Sequence, residues 1–185
     1  RMERAVAIAP TTESVILLRG SKEAPVTGVT VKGLALSVTT TPLKAGGFGA
    51  NAFNGAATSL YTRDCILSGL TIFNTGGQGV KAWESDGLRV ERCDIHDTGA
   101  CGVTARGQGV VVGDCRIHRV GLTYPSAIAL SMGGKACQVS HNEVHDCPYS
   151  AITAGGDDHR IEGNLIYRAM QELHDGAGIY ITFCK

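Results

Sequence analysis

The 185-residue sequence predicts an all-β solenoid, and three observations carry that prediction. A short apolar pattern recurs along the chain at steps of 22 to 36 residues. Within each copy the apolar residues alternate, which is the period of a strand and not of a helix. The composition agrees, with 25 Gly, only 18% charged residues and 5% aromatics. An average chain has ~7% Gly and ~25% charged residues, so this one is built for many turns and little helix.

Taken in chain order, the first apolar strand is Ser14–Leu18. The repeat follows, in two halves. The first half places an apolar residue, then Leu, Cys or Asn three positions on, then another apolar residue. It reads Val31-Leu34-Leu36, Leu67-Leu70-Ile72, Val90-Cys93-Ile95, Val112-Cys115-Ile117, Val139-Asn142-Val144 and Ile161-Asn164-Ile166. The second half is a small residue, an apolar one, any residue, and an apolar one. It reads Gly79-Val80-Ala82, Gly102-Val103-Ala105, Ala127-Ile128-Leu130, Ala151-Ile152-Ala154 and Gly178-Ile179-Ile181. Each run is short and bounded by Gly, Asp or Ser, as strands are. No segment keeps a 3.6-residue apolar period over three turns, and only Arg168–His174 fits even one helical turn.

A unit this small cannot bury its own apolar face, so neighbouring units must stack. Six to seven coils of 22–27 residues follow, and at about 4.8 Å per coil they make a rod roughly 30 Å tall. Hairpin-connected sandwiches also have short strands, but would not bring chemically matched residues to one repeat position. Here they are matched. Cys93 and Cys115 share a column with Asn142 and Asn164, and Cys65 shares another with Cys137. Seven Cys without a C-x-x-C pair read as thiols packed inside the coil, not as a disulfide framework or metal site. A second column, Phe73, His96, His118, His145 and Tyr167, falls on outward positions and reads as an exposed stack of flat side chains. Three stacked His also have the residue type for a metal, but no metal or other cofactor is expected.

The turn joining the two halves varies in length. Eight positions separate Ile72 from Val80, Ile95 from Val103, and Val144 from Ile152. The interval grows to eleven from Ile117 to Ile128, thirteen from Ile166 to Ile179, and most of all after Leu36. Insertions confined to one turn lie on one edge of the rod, where solenoids carry function. Loops Arg119–Ser126 and Arg168–Gly176 flank the short turn Asp146–Ser150 and should wall a notch. Its floor is expected to carry Tyr149, and its walls Tyr124 with Glu172, His174 and Asp175. The adjoining sheet should turn Lys81, Trp83, Arg106 and Tyr180 outward.

Those residues define the candidate site. Asp175 is the candidate general acid or base, with Glu172 or His174 assisting, because glycoside hydrolysis uses two carboxyl groups. Trp83, Tyr124 and Tyr149 are candidate platforms for sugar rings, Tyr180 is a further candidate binding residue, and Lys81 and Arg106 are candidate partners for hydroxyls or carboxylates. The competing reading of Asp175-Gly176 is plain turn chemistry, and the same holds for Gly156-Asp157-Asp158.

Seventeen basic and seventeen acidic residues give zero net charge, which argues against nucleic acid or an anionic membrane as the main partner. No apolar run approaches the ~18 residues of a membrane span. The segment Arg1-Met2-Glu3-Arg4-Ala5 shows no signal peptide. A polysaccharide-acting protein is nevertheless expected to be secreted or periplasmic.

The repeats resemble those of right-handed parallel β-helix proteins with pectate-lyase-like coils, from about Val29 to Phe183. The stretches Asn-Glu-Val-His-Asp (142–146) and Asp-Gly-Ala-Gly-Ile-Tyr (175–180) are similar to those of large bacterial carbohydrate-active β-helix enzymes, relatives of glycoside hydrolase family 141 among them. The resemblance implies a polysaccharide or oligosaccharide substrate and a glycoside hydrolase. Motifs of polygalacturonases, true pectate lyases and alginate epimerases are missing. Two alternatives remain: a β-helix that binds carbohydrate or assembles without catalysis, and a lyase or epimerase acting on uronic acids. A single domain over residues 1–185 is expected, read as a segment of a longer β-helix whose open ends dock on further coils or another subunit.

Overall fold

The computed structural model describes residues 7–182. The segment read for a signal peptide, and Phe183, Cys184 and Lys185 at the end of the last strand half, lie outside the described residues. The chain winds as a parallel β-helix of six full coils, after which a seventh coil begins with one strand. Three parallel sheets run its length, one of eight strands and two of six. Each full coil contributes one strand to each sheet, in the same order, and the first adds a second, short strand to the long sheet.

The long sheet contains Ile16–Arg19, Gly55–Arg63, Gln78–Asp86, Val103–Gln108, Leu130–Lys135, Ile152–Asp157 and Ile179–Thr182, with the short Val26–Thr27 beside the second of these. The second sheet starts at Thr30–Lys32 and includes Arg89–Glu91 and Val111–Gly113. The third starts at Ala35–Thr39 and includes Asp94–Thr98, Arg116–His118, Glu143–His145 and Leu165–Tyr167.

The first half of the sequence repeat is therefore two strands, not one. Between them the chain bends at Arg92, Asp114 and His141, each with φ between 53° and 56°. A left-handed residue recurs at the other corners too, as at Asp97, Arg119, Asp146 and Arg168, with φ of 48–53°. Short polar side chains tolerate that conformation best, and corners that turn sharply leave inward alternation intact on both sides.

The core is the interior of the coil. Val90, Ile95, Val112, Ile117, Val139, Val144, Leu130 and Ile152 are buried there, each contributing roughly 1.5–3 kcal/mol by leaving water. The Cys–Asn column is an internal hydrogen-bond ladder. Cys115 N–H donates to Asn142 Oδ1 at 3.0 Å, and Asn142 N–H to Asn164 Oδ1 at 3.0 Å. The six described cysteines are free thiols and all buried. Burial pushes the Cys101 thiol up to about 11 and the Cys147 thiol up to about 12, which makes them inert.

Three expectations are corrected. Val103 pairs with Leu130, not Ile128, so the interval from Ile117 to its partner strand is the same thirteen positions as from Ile166 to Ile179. Residues 168–174 form bends and no helical turn; the one helical element among the described residues is a 3-10 turn at Phe48–Ala50. The aromatic column does stack, at centroid distances of 5.6, 4.9, 4.7 and 4.6 Å from Phe73 to Tyr167. Its middle is not exposed, however: His118 is 6% accessible and His145 5%, each sandwiched between two rings, with Asp94 bonded to His118 and Arg116 to His145.

Candidate functional site

The three long insertions all leave the third sheet and return to the long sheet, over residues 40–54, 119–129 and 168–178. They enclose a second apolar cluster outside the coil, formed by Ala50, Phe53, Ala100, Cys101, Ala127, Ile128 and Tyr149, with Tyr124, Met170 and Leu173 against it. The loops are fixed by it. Gln78 Nε2 donates to the Asn51 and Phe53 carbonyls at 3.0 and 2.6 Å, and Cys101 Sγ to the Gly49 carbonyl at 2.8 Å.

This cluster decides the fate of several candidate residues. Tyr124 stacks on Phe53 at 4.3 Å and donates its hydroxyl to the Pro42 carbonyl. Tyr149 is 7% exposed, sits edge-on to Phe48, and donates its hydroxyl to the Asp175 carbonyl. Tyr149 is thus corrected from a platform to a support, and Tyr124 gives one face to Phe53 and its hydroxyl to the Pro42 carbonyl. Lys81 is half-buried beneath residues 40–54 and donates to the Asn51 carbonyl at 3.4 Å. Burial pulls its ammonium below the usual lysine range.

Trp83, Arg106 and Tyr180 stay available on the long sheet. Trp83 is 43% exposed, and the Arg106 guanidinium lies over its ring at 5.4 Å. Following the register, the column holding Arg106 continues as Gly133, Gly155 and Thr182. Two successive glycines remove the side chains that would fill it. The result is a trough of about 350 Å³, floored by Ser131, Thr153, Gly155 and Gly156. Phe48 and Asn51 wall one side, and Arg106 and Tyr180 also line it, with Ile128, Met132 and Thr182. Beyond Arg106 the channel opens into a second depression of about 500 Å³ lined by Trp83, Glu84, Asp86 and Lys135.

The glycines beside this floor are there for close approach. A Cβ on Gly134 would lie 1.9 Å from the Gly107 carbonyl oxygen, and one on Gly156 1.9 Å from that of Gly134. A Cβ on Gly133 would instead touch the Arg106 guanidinium at 2.9 Å, so Arg106 lies flat along the channel because Gly133 is bare.

The notch expected between the two later loops exists, as a cavity of about 660 Å³. Its lining differs from the expectation: Arg119, Leu122 and Pro125 on one side, Asp146 and Pro148 below, and Arg168, Gln171 and Glu172 on the other. Of the three proposed acid–base residues only Glu172 faces it. His174 and Asp175 are exposed further along the loop, where the Asp175 carbonyl accepts the Tyr149 hydroxyl. The structure does not bring Glu172 and Asp175 together as an evident pair.

Behind the notch runs a charged framework. His96 Nδ1 bonds Asp97 Oδ2 at 2.7 Å, and Asp97 Oδ1 accepts from Arg119 Nε at 2.8 Å. His145 Nδ1 bonds Asp146 Oδ2 at 2.7 Å, and Asp146 Oδ1 meets Arg168 Nε at 2.8 Å. Arg119 therefore holds the Asp97 carboxyl below the usual carboxylate range, and His145 does so for Asp146.

Phe48, Asn51, the two Gly-Gly pairs and the Asp–Arg pairs were not singled out in the sequence. The recurrence of Gly133-Gly134 as Gly155-Gly156 was the available signal.

A family described as "Right handed beta helix region" matches residues 14–166. No curated protein matches the sequence. Among solved structures, one titled "Glycoside hydrolase" superposes with a TM-score of 0.80 at 18% identity, covering 94% of this chain and 40% of its own. Another, "The complex structure of XylC with xylose", gives a TM-score of 0.66 at 13% identity, covering 84% of this chain and 30% of its own. The chain thus spans less than half the length of either.

Proposed function

The chain belongs to the right-handed β-helix family, and from that premise we propose that it is carbohydrate-active, seating an oligosaccharide along the long sheet and acting as a glycoside hydrolase. The observation that carries this reading is the glycine-floored trough leading to the Trp83–Arg106 stack. Sugars present apolar C–H faces and a rim of hydroxyls, which suit an aromatic ring beside hydroxyl, amide and guanidinium groups. Here Trp83 and Tyr180 supply rings, Ser131 and Thr153 hydroxyls, Asn51 an amide, and Arg106 the guanidinium. The names of the two structural neighbours, a glycoside hydrolase and a protein complexed with xylose, lean the same way.

For the chemistry, Asp175 is the proposed proton donor to the leaving glycosidic oxygen, with the adjacent His174 assisting, while Glu172 lines the notch instead. Asp175 lies five residues before Tyr180, which lines the trough. A general acid needs to hold its proton at working pH, and closure of a bound sugar over the carboxyl would provide the burial.

One observation favours a second reading, binding without turnover. The trough around Ser131 and Thr153 is lined by no carboxylate among the described residues.

The test is product analysis on a polysaccharide panel, run with wild type, Asp175→Asn and Trp83→Ala. Hydrolysis requires new reducing ends that disappear in Asp175→Asn while binding persists. Binding without products, lost in Trp83→Ala, selects the non-catalytic reading. Products absorbing in the ultraviolet select lyase chemistry on a uronic acid. No binding to any glycan sinks all three.

A further inference from the structure

The geometry points to the notch between residues 119–129 and 168–178 as a second ligand site, separate from the trough, that takes a neutral pyranose through a vicinal diol. The argument starts from how its polar groups are held. Arg119 uses Nε and Nη2 on Asp97, which is itself bonded to His96. Asp146 uses one oxygen on His145 and the other on Arg168. Each of these groups is thus oriented by a partner from a neighbouring row before any ligand arrives, and His96 and His145 are locked in the ring stack. Preorganised side chains distinguish a binding site from an ordinary surface ion pair.

The unused valences set the ligand. A guanidinium has five N–H donors, and each carboxylate oxygen accepts more than one hydrogen bond. Two consecutive pairs, Asp97 with Arg119 and Asp146 with Arg168, are closed. The step between them, Arg119 to Asp146, is not closed by an ion pair, although the two residues follow the paired His118 and His145 and so occupy matching corners of neighbouring coils. A donor and an acceptor are left side by side on the notch lining. Adjacent hydroxyls match that arrangement, one accepting from Arg119 and the other donating to Asp146.

The charge balance favours a neutral ligand. Arg119 and Arg168 are offset by Asp146 and Glu172 in the same lining, so an anion meets two carboxylates and a cation two guanidiniums. Leu122 and Pro148 give an apolar surface for one face of a ring. A cavity of about 660 Å³ accommodates a sugar ring with room for a substituent. This inference does not depend on the trough reading, because the two sites share no lining residue.

The experiment is an amide NMR titration of the full chain with methyl glycosides of common neutral pyranoses, with trans-1,2-cyclohexanediol and cyclohexanol as minimal probes. Binding in the millimolar range, about −4 kcal/mol, is expected at so open a site. Saturable shifts should map to residues 119–125 and 146–148, appear with the diol, and be absent with cyclohexanol. Leu122→Asp and Arg119→Gln should each weaken binding at least about five-fold, roughly 1 kcal/mol. Trp83→Ala should leave the notch shifts unchanged. Leu122 is exposed, so Leu122→Asp keeps the test valid even if Arg119→Gln disturbs the loop. Three results would overturn the proposal: no saturable shift in the notch, equal binding by cyclohexanol or by methyl glucuronide, or binding that survives Leu122→Asp. Sugar shifts confined to Trp83, Arg106 and Tyr180 would also overturn it while leaving the trough reading standing.

Discussion

Replacing Asn142 tests the internal ladder. Its Oδ1 accepts the Cys115 N–H at 3.0 Å. Its Nδ2 donates to the Val112 carbonyl at 3.0 Å and to Asn164 Oδ1 at 2.9 Å. The residue is 1% exposed, so water cannot step in. Asn142→Ala strips the buried Cys115 N–H of its acceptor and the Val112 carbonyl of a donor. At ~1–3 kcal/mol per buried polar group left unsatisfied, the pair costs about 4 kcal/mol, near the top of the range for one substitution. Asn142→Cys reproduces what the preceding coils use. Cys115 Sγ accepts the Cys93 N–H at 3.5 Å and donates to the Val90 carbonyl at 3.5 Å. It should therefore cost about half as much as Ala. Urea denaturation at neutral pH, followed by far-ultraviolet circular dichroism, reads both variants against wild type. A loss below about 1 kcal/mol for Asn142→Ala, or equal losses for Ala and Cys, would refute the ladder as the source of stability.

Other perturbations separate the remaining features. Burial, then Arg116 and His145, hold the His118 imidazole below its usual 6.5. The unfolded chain therefore takes up this proton first, and stability should fall as pH drops below 6.5, by about 1.4 kcal/mol per pH unit for one proton. His118→Phe, which extends the ring begun by Phe73, should flatten that slope; thermal melts from pH 7.5 to 4.5 would show it, and an unchanged slope counts against the assignment. Asp97 and Asp146 are held below 3.8, so a second loss should start only below about pH 4, where these carboxylates protonate. Gly134→Ala forces a Cβ into the Gly107 carbonyl at a φ of 122°, and should cost about 3 kcal/mol or more. Gly133→Ala meets only the mobile end of Arg106, so it should change stability by less than about 1 kcal/mol yet weaken glycan binding in the trough. Trp83→Ala should weaken the same binding about five- to ten-fold through loss of the stacking surface.

The coil was legible in the sequence because burial on one side of a strand leaves period-two alternation, and stacking repeats it. The column of Cys93, Cys115, Asn142 and Asn164 was legible for the same reason. Register at the fifth coil was not, since Ala127-Ile128-Ala129-Leu130 and Ala129-Leu130-Ser131-Met132 satisfy the same small–apolar–any–apolar pattern. Alignment of Gly133-Gly134 on Gly155-Gly156 resolves it in favour of Leu130. The third strand of each coil was hidden because its corners accept residues as different as Arg92, Asp114 and His141. Tyr124 and Tyr149 were misjudged through a contact no local pattern encodes. Residues 40–54 cross the rod and pack against rings that the loop lengths alone place on the floor and wall of an open notch.

That crossing changes how the molecule should come apart. A plain solenoid is a one-dimensional stack in which each coil feels only its neighbours, so it can unzip from an end. Here Phe48 meets Tyr149, Tyr124 reaches Pro42, and Ser126 reaches Gly47, tying the first insertion to coils much later in the sequence. Such clasps couple distant repeats directly, and the middle of the rod should melt as a single cooperative block instead of fraying coil by coil.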